Sequence, residues 1–132
     1  MGRSRRDGAP PDRVFLGVAY LRIRVPGART LKDRRTVLSS VSDRLRHRYG
    51  ISVHEIGQGS DPTRQTIVVT TAGNDASVVR KVIDQCVGQV HSHPTAIAEQ
   101  VDTDVFRWEP SADDWAARMM AELGSDAGDD DA

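Results

Sequence analysis

Residues 26–50, PGARTLKDRRTVLSSVSDRLRHRYG, decide the fold. Leu31, Leu38, Val41, Leu45 and Tyr49 recur at helical spacing, so the stretch is a helix that buries one face. Thr30 is placed to cap it, and Asp33, three residues on, makes a short capping box. Gly50 stands where a left-handed residue ends a helix at least cost. The anomaly is at the front. Arg29, Lys32, Arg34 and Arg35 crowd the positive end of the helix dipole, where each cation costs about 0.3–1 kcal/mol. One aspartate offsets part of that. A local rule broken so plainly points to a surface that wants an anion.

Working outward, Val14 to Val25 reads as a strand. Phe15, Gly17, Ala19, Leu21 and Ile23 fall on one side, and Leu16, Val18, Tyr20, Arg22 and Arg24 on the other. Both sides are apolar at the start, as in a central strand, and Gly17 and Ala19 leave room for a helix. Ile51–Ile56 and Arg64–Ala72 are two further strands, joined as a hairpin through the loop from Gly57 to Pro62. Asn74 is expected to cap a second helix running to about Val90, with an apolar face that includes Val78, Val79, Ile83 and Cys86. Ala96–Trp108 is a fourth strand, with Ile97, Val101 and Val105 expected on one face. Strand, helix, strand, strand, helix, strand is the order of the ferredoxin-like plait, an α+β fold with a four-stranded antiparallel sheet and both helices on one face. Its other sheet face is left uncovered. Leu16, Val18, Tyr20 and Val68 are expected on it, with Phe106 and Trp108 if the fourth strand keeps register. Such a face calls for a partner, most simply a second copy.

The chain has 132 residues, enough for one domain with tails. Residues 1–13 are expected to be a disordered N-terminal arm, 14–108 the domain, and 109–132 a short amphipathic helix with an acidic disordered tail beginning at Gly124. Ser111 and Asp114 would cap that helix. Its Trp115, Met119 and Leu123 either fold back on the domain or dock to a partner. A net charge of −1 hides an asymmetry. Residues 1–48 hold 13 basic and 4 acidic residues, a balance of +9; residues 49–132 hold 5 and 15, a balance of −10. The first half attracts polyanions, and the acidic tail competes for the same surface. One cysteine excludes an internal disulfide and fits a reducing cytoplasm. No secretory signal and no run of eighteen apolar residues stands in the sequence, so no membrane partner is expected.

Other chemistry is thin. Arg22, Arg24, Arg44, Arg46 and Arg48 extend the basic cluster, and arginine grips phosphate bidentately. Against this stands the simpler reading of a solvated helix face. Arg34 lies within the apolar stripe, so it either snorkels to the sheet edge or pairs with an acid such as Asp102 or Asp104. Tyr20 could stack a base, but the third strand offers Thr66, Val68 and Thr70, so an RNP-type reader is absent and binding through phosphates is what remains. His91-Ser92-His93 lacks further ligands for a metal. Cys86 reads as a buried small hydrophobe. His54 and Glu55 point to opposite faces. Gly57-Gln58-Gly59 lacks the spacing of a phosphate loop. No nucleophile, base and oxyanion site assemble, and neither an enzyme nor a cofactor is expected.

The run GVAYLRIRVPGARTLKDRR (17–35), with ISVHEIG and the later GND before a helix, resembles the YlxP-like family of small bacterial proteins, a domain of unknown function. The resemblance spans about residues 14–108 and implies the same plait. It also implies a role near RNA or the ribosome, because such proteins are often encoded beside translation and ribosome-maturation genes. It carries no catalytic residues. The expectation is therefore a non-enzymatic, cytoplasmic protein that contacts RNA or the ribosome through Arg29, Lys32, Arg34, Arg35, Arg22 and Arg24. The alternative is an interaction module, a homodimer formed through the uncovered sheet face.

Overall fold

The computed structural model describes residues 13–57, 59–109 and 115–130. The expected arm over 1–12, the Ser111–Asp114 cap and the side chains of Tyr49 and Trp115 lie outside the described residues. Four strands, β1 (Val14–Arg24), β2 (Ser52–Ile56), β3 (Arg64–Gly73) and β4 (Ile97–Trp108), form one sheet in the order β2-β3-β1-β4. Every neighbouring pair is antiparallel. Helices α1 (Leu31–Tyr49) and α2 (Ala76–His91) cover one face, and α3 (Trp115–Asp130) follows β4. The fold is the ferredoxin-like plait.

Alternation in β1 drives this. Ala19, Leu21 and Ile23 are fully buried beneath the helices, together with Ile67 and Val69 of β3. Leu38, Val41 and Leu45 of α1 and Val79, Ile83, Cys86 and Val90 of α2 close the layer. Each such Leu or Ile contributes about 1.5–3 kcal/mol on burial. Gly17 sets how closely α2 approaches: a Cβ there would stand 2.7 Å from the Ile83 and Val79 Cγ1 atoms. The α1 box forms as expected. Thr30 Oγ1 accepts from Asp33 N at 3.1 Å, and Asp33 Oδ2 accepts from the Arg29 and Thr30 amides at 3.0 and 3.2 Å. Gly50 ends the helix at φ 59°.

Several expectations are corrected. Asp75, not Asn74, caps α2, accepting from Ser77 N and Val78 N. Leu31 is exposed because the first helical residue precedes the turn that meets the sheet. Val78 is 57% exposed, one step off the buried α2 stripe. A register shift in the β1–β4 pairing between Arg22 and Ile23 sets Ala98, not Glu99, opposite Ile23 and so places Ile97 opposite Arg24. A bulge turns every residue beyond it to the other face, so Ile97 leaves the face of Val101 and is 42% exposed. Helix α3 continues past Gly124 to Asp130, and its Met119, Met120 and Leu123 are exposed rather than folded onto the domain.

Candidate anion-binding surface

The basic residues do not form one patch. They divide around the loop between β2 and β3. Arg34, half-buried near the start of α1, points across to that loop. Its Nη1 donates to the carbonyls of Gly59 at 3.0 Å, Asp61 at 2.7 Å and Arg64 at 3.2 Å. Arg34 thus neither pairs with Asp102 or Asp104 nor offers that nitrogen to a ligand. From below, the buried Gln65 amide donates to the carbonyls of Ile56 and Gly57 at 3.0 and 3.1 Å. Within the loop, Asp61 accepts from the Thr63 amide and hydroxyl at 2.8 and 2.6 Å. These bonds, the hydroxyl first, hold its carboxyl below the usual 3.8.

On the helix side of the loop, Arg29, Lys32 and Arg35 are exposed. Asp33, whose carboxyl is held below 3.8 by the Arg29 amide first and the Thr30 amide second, is committed to the cap. Lys32 and Arg35 have no ion-pair partner among the described residues. A cleft of about 410 Å³ opens beside Arg35, lined also by Leu31, Arg34, Glu55, Gly57, Gly59 and Gln65.

On the open-sheet side, Arg22, Arg24 and Arg64 converge on Glu99, at 3.8, 3.5 and 2.8 Å. The bulge in β4 brings Glu99 among them. Glu99 raises the Arg64 pKa further, with Asp61 adding to it. Exposed pairs of this kind are worth little in stability, but together they order the guanidinium groups. A second cleft of about 230 Å³, lined by Arg22, Arg64, Asp61 and Thr66 among others, meets the first at Gly57 and Gly59. Glu99, Arg64 and Gln65 were not singled out by the sequence. Glu99 gathers its partners only through sheet pairing, and no local spacing reveals that.

The remaining candidates are structural. Arg46 donates to the Val53 carbonyl at 2.7 Å, tying α1 to the β2 edge. His93 Nδ1 accepts from Thr95 N at 3.2 Å, and its Nε2 lies 3.4 Å from Ser40 Oγ. Burial first and the Arg44 charge second push its pKa below 6.5. Cys86 is buried and its thiol pushed up to about 11. No group of three His, Cys, Asp or Glu among the described residues could hold a metal ion. No described helix is long and apolar enough to cross a membrane.

Residues 16–104 match the family described as "Protein of unknown function (DUF503)", and the chain belongs to that family. No curated protein matches it. Among solved structures, it is similar to the de novo designed protein Foldit4, at 12% identity over 76% of this chain and 100% of that one, with a TM-score of 0.39. It is also similar to SnoaB, a cofactor-independent oxygenase from Streptomyces nogalater (8% identity, 77% and 99% covered, TM-score 0.40). A C-terminal segment of the alpha subunit of aIF2 from Pyrococcus abyssi matches at 15% identity, with 80% and 56% covered and a TM-score of 0.38.

Proposed function

We propose that this protein is a non-enzymatic, cytoplasmic RNA- or ribosome-associated factor that contacts phosphates through Arg29, Lys32 and Arg35. What supports this reading above all is the set of exposed cations at the start of α1, with Asp33 of the same turn spent on the cap, although Glu55 shares the cleft beside Arg35. Of these cations, Arg35 lines an open cleft together with Gly57 and Gly59. Arg22 and Arg24, partly neutralised by Glu99, add positive field around the corner of the domain without being primary contacts. Arg34 serves by fixing the loop. The YlxP-like resemblance of residues 17–35 fits the same role.

The test is co-sedimentation with ribosomal subunits at low and moderate salt, comparing wild type with Arg29→Ala/Lys32→Ala/Arg35→Ala. Three phosphate contacts predict about a 40-fold loss of affinity between roughly 50 and 200 mM salt, and a flatter salt slope in the variant. Binding that neither salt nor the variant changes sinks the reading, as does no binding at all.

A further inference from the structure

Three aromatic residues of the domain, Tyr20, Phe106 and Trp108, alternate onto the sheet face away from the core. The buried residues are all aliphatic or small, apart from Ser42 and Gln65. On the open sheet face, Phe106 is 40% exposed and Trp108 47% exposed, and Tyr20, half-buried, lies on the same face two rows along from Phe106. Aromatic and arginine side chains on a solvent face mark recognition surfaces. The pairing register says how this face is laid out. One row across all four strands reads His54, Val68, Tyr20, Asp102, and the next reads Ser52, Thr70, Val18, Asp104. A third carries Ala72, Leu16 and Phe106. The centre of the face is therefore apolar, the β4 flank is acidic, and the β2 flank carries an imidazole and a hydroxyl. Neither Asp102 nor Asp104 has a cation partner among the described residues.

We infer that this face is covered by a second copy of the same chain, related by a two-fold axis running along the strands between β1 and β3. That axis exchanges β1 with β3 and β2 with β4. It sets Tyr20 against the partner's Val68, Val18 against the partner's Thr70, and Leu16 against the partner's Ala72. On the flanks it sets His54 against the partner's Asp102 and Ser52 against the partner's Asp104, supplying donors to both carboxylates. The other in-plane two-fold, across the strands at mid-sheet, puts Asp102 on the partner's Asp104 and is disfavoured by like charge. The cost of the chosen axis is Arg64 facing the partner's Arg24, which Glu99 of each copy offsets.

β1 and β3 overlap over about ten residues each, but β2 has five residues and covers only that much of the partner's β4. At about 3.3 Å per residue and about 4.8 Å per strand the overlap is about 480 Å² per copy, the size of a weak, concentration-dependent dimer, with Phe106 and Trp108 beyond the end of the partner's β2. The pairing leaves Arg29, Lys32 and Arg35 on the helix side, so the dimer presents two copies of that surface. This inference does not rest on the phosphate-binding reading.

Sedimentation equilibrium of the full chain tests it, expecting twice the 14.5 kDa chain mass. His54→Glu should weaken the dimer about tenfold or more by facing Asp102 of the partner. His54→Glu/Asp102→Lys should restore it. Within one copy these positions are three strands apart, about 14 Å, so restoration is an intermolecular effect. Circular dichroism checks that both variants keep the wild-type fold, as expected for exposed positions. Several results overturn the inference: a wild-type monomer, a His54→Glu dimer of unchanged affinity, or a double variant that stays monomeric. A monomer that loses RNA binding on Tyr20→Asp would give the face to RNA instead.

Discussion

Arg34 Nη1 lies 2.7 Å from the carbonyl oxygen of Asp61, a residue 27 positions further along the chain. The same nitrogen reaches Gly59 and Arg64 carbonyls, so one guanidinium closes the β2–β3 loop onto α1. Bonds from a charged donor to backbone carbonyls are worth more than neutral ones, and a carbonyl left without its donor must find water.

Arg34→Ala should therefore destabilise the domain by about 1–2 kcal/mol, discounted for partial exposure. Arg34→Lys should recover less than half, because the lysine stem ends short of the position of Nη1 and its ammonium is more strongly hydrated. Urea midpoints at constant slope measure both. Ribosome binding by Arg34→Ala, assayed where the variant is folded, should fall less than in the triple variant of Arg29, Lys32 and Arg35.

Gly17 is required by contact and not by backbone angle. A methyl group there meets Val79 and Ile83 Cγ1 at 2.7 Å, and both are buried side chains with no free direction to move. Gly17→Ala should cost about 1–3 kcal/mol by overpacking, read as a lower thermal midpoint. A midpoint at or above that of wild type would show that α2 shifts without cost.

What could be read from the chain alone was what is written locally. Thr30 and Asp33 bond three residues apart, and Gly50 needs only its own φ, so the ends of α1 were legible. Asn74 and Asp75 are chemically alike as caps, and nothing local chooses between them. The face of Ile97 depends on a bulge opposite Arg22 and Ile23, which only the paired strand reveals. Arg34 stood out as a cation on an apolar stripe, yet its partners are carbonyls. Every residue carries one, so no side-chain pattern could point to them. The apolar open face was legible by alternation. Its division into an acidic and a hydroxyl-imidazole flank required the register.

The stability profile against pH should show two steps. His93 has a folded pKa below 6.5, so the unfolded chain binds the extra proton first. Stability from this group is complete above pH 6.5 and is lost as pH falls through the folded value. Asp33, Asp61 and Asp75 also have lowered folded values, and Asp75 is held mainly by the Ser77 hydroxyl. Their contribution is present above 3.8 and disappears below it. His93→Gln should remove the upper step and leave the lower one, as measured by urea midpoints from about pH 2.5 to 8. An upper step that survives the substitution would assign it to another histidine.

Cys86 is the natural reporter of opening. Its thiol is buried between α2 and the sheet, with its pKa pushed to about 11 by desolvation. Only the thiolate reacts, so the folded state is protected twice, by access and by protonation. Maleimide labelling of the native protein should thus proceed through opened molecules and fall with the population of the open state. Adding Gly17→Ala should speed labelling about 5-fold or more for each kcal/mol lost. Fast labelling of the wild type, insensitive to denaturant, would mean that α2 lifts locally from Gly17 while the rest of the domain stays folded.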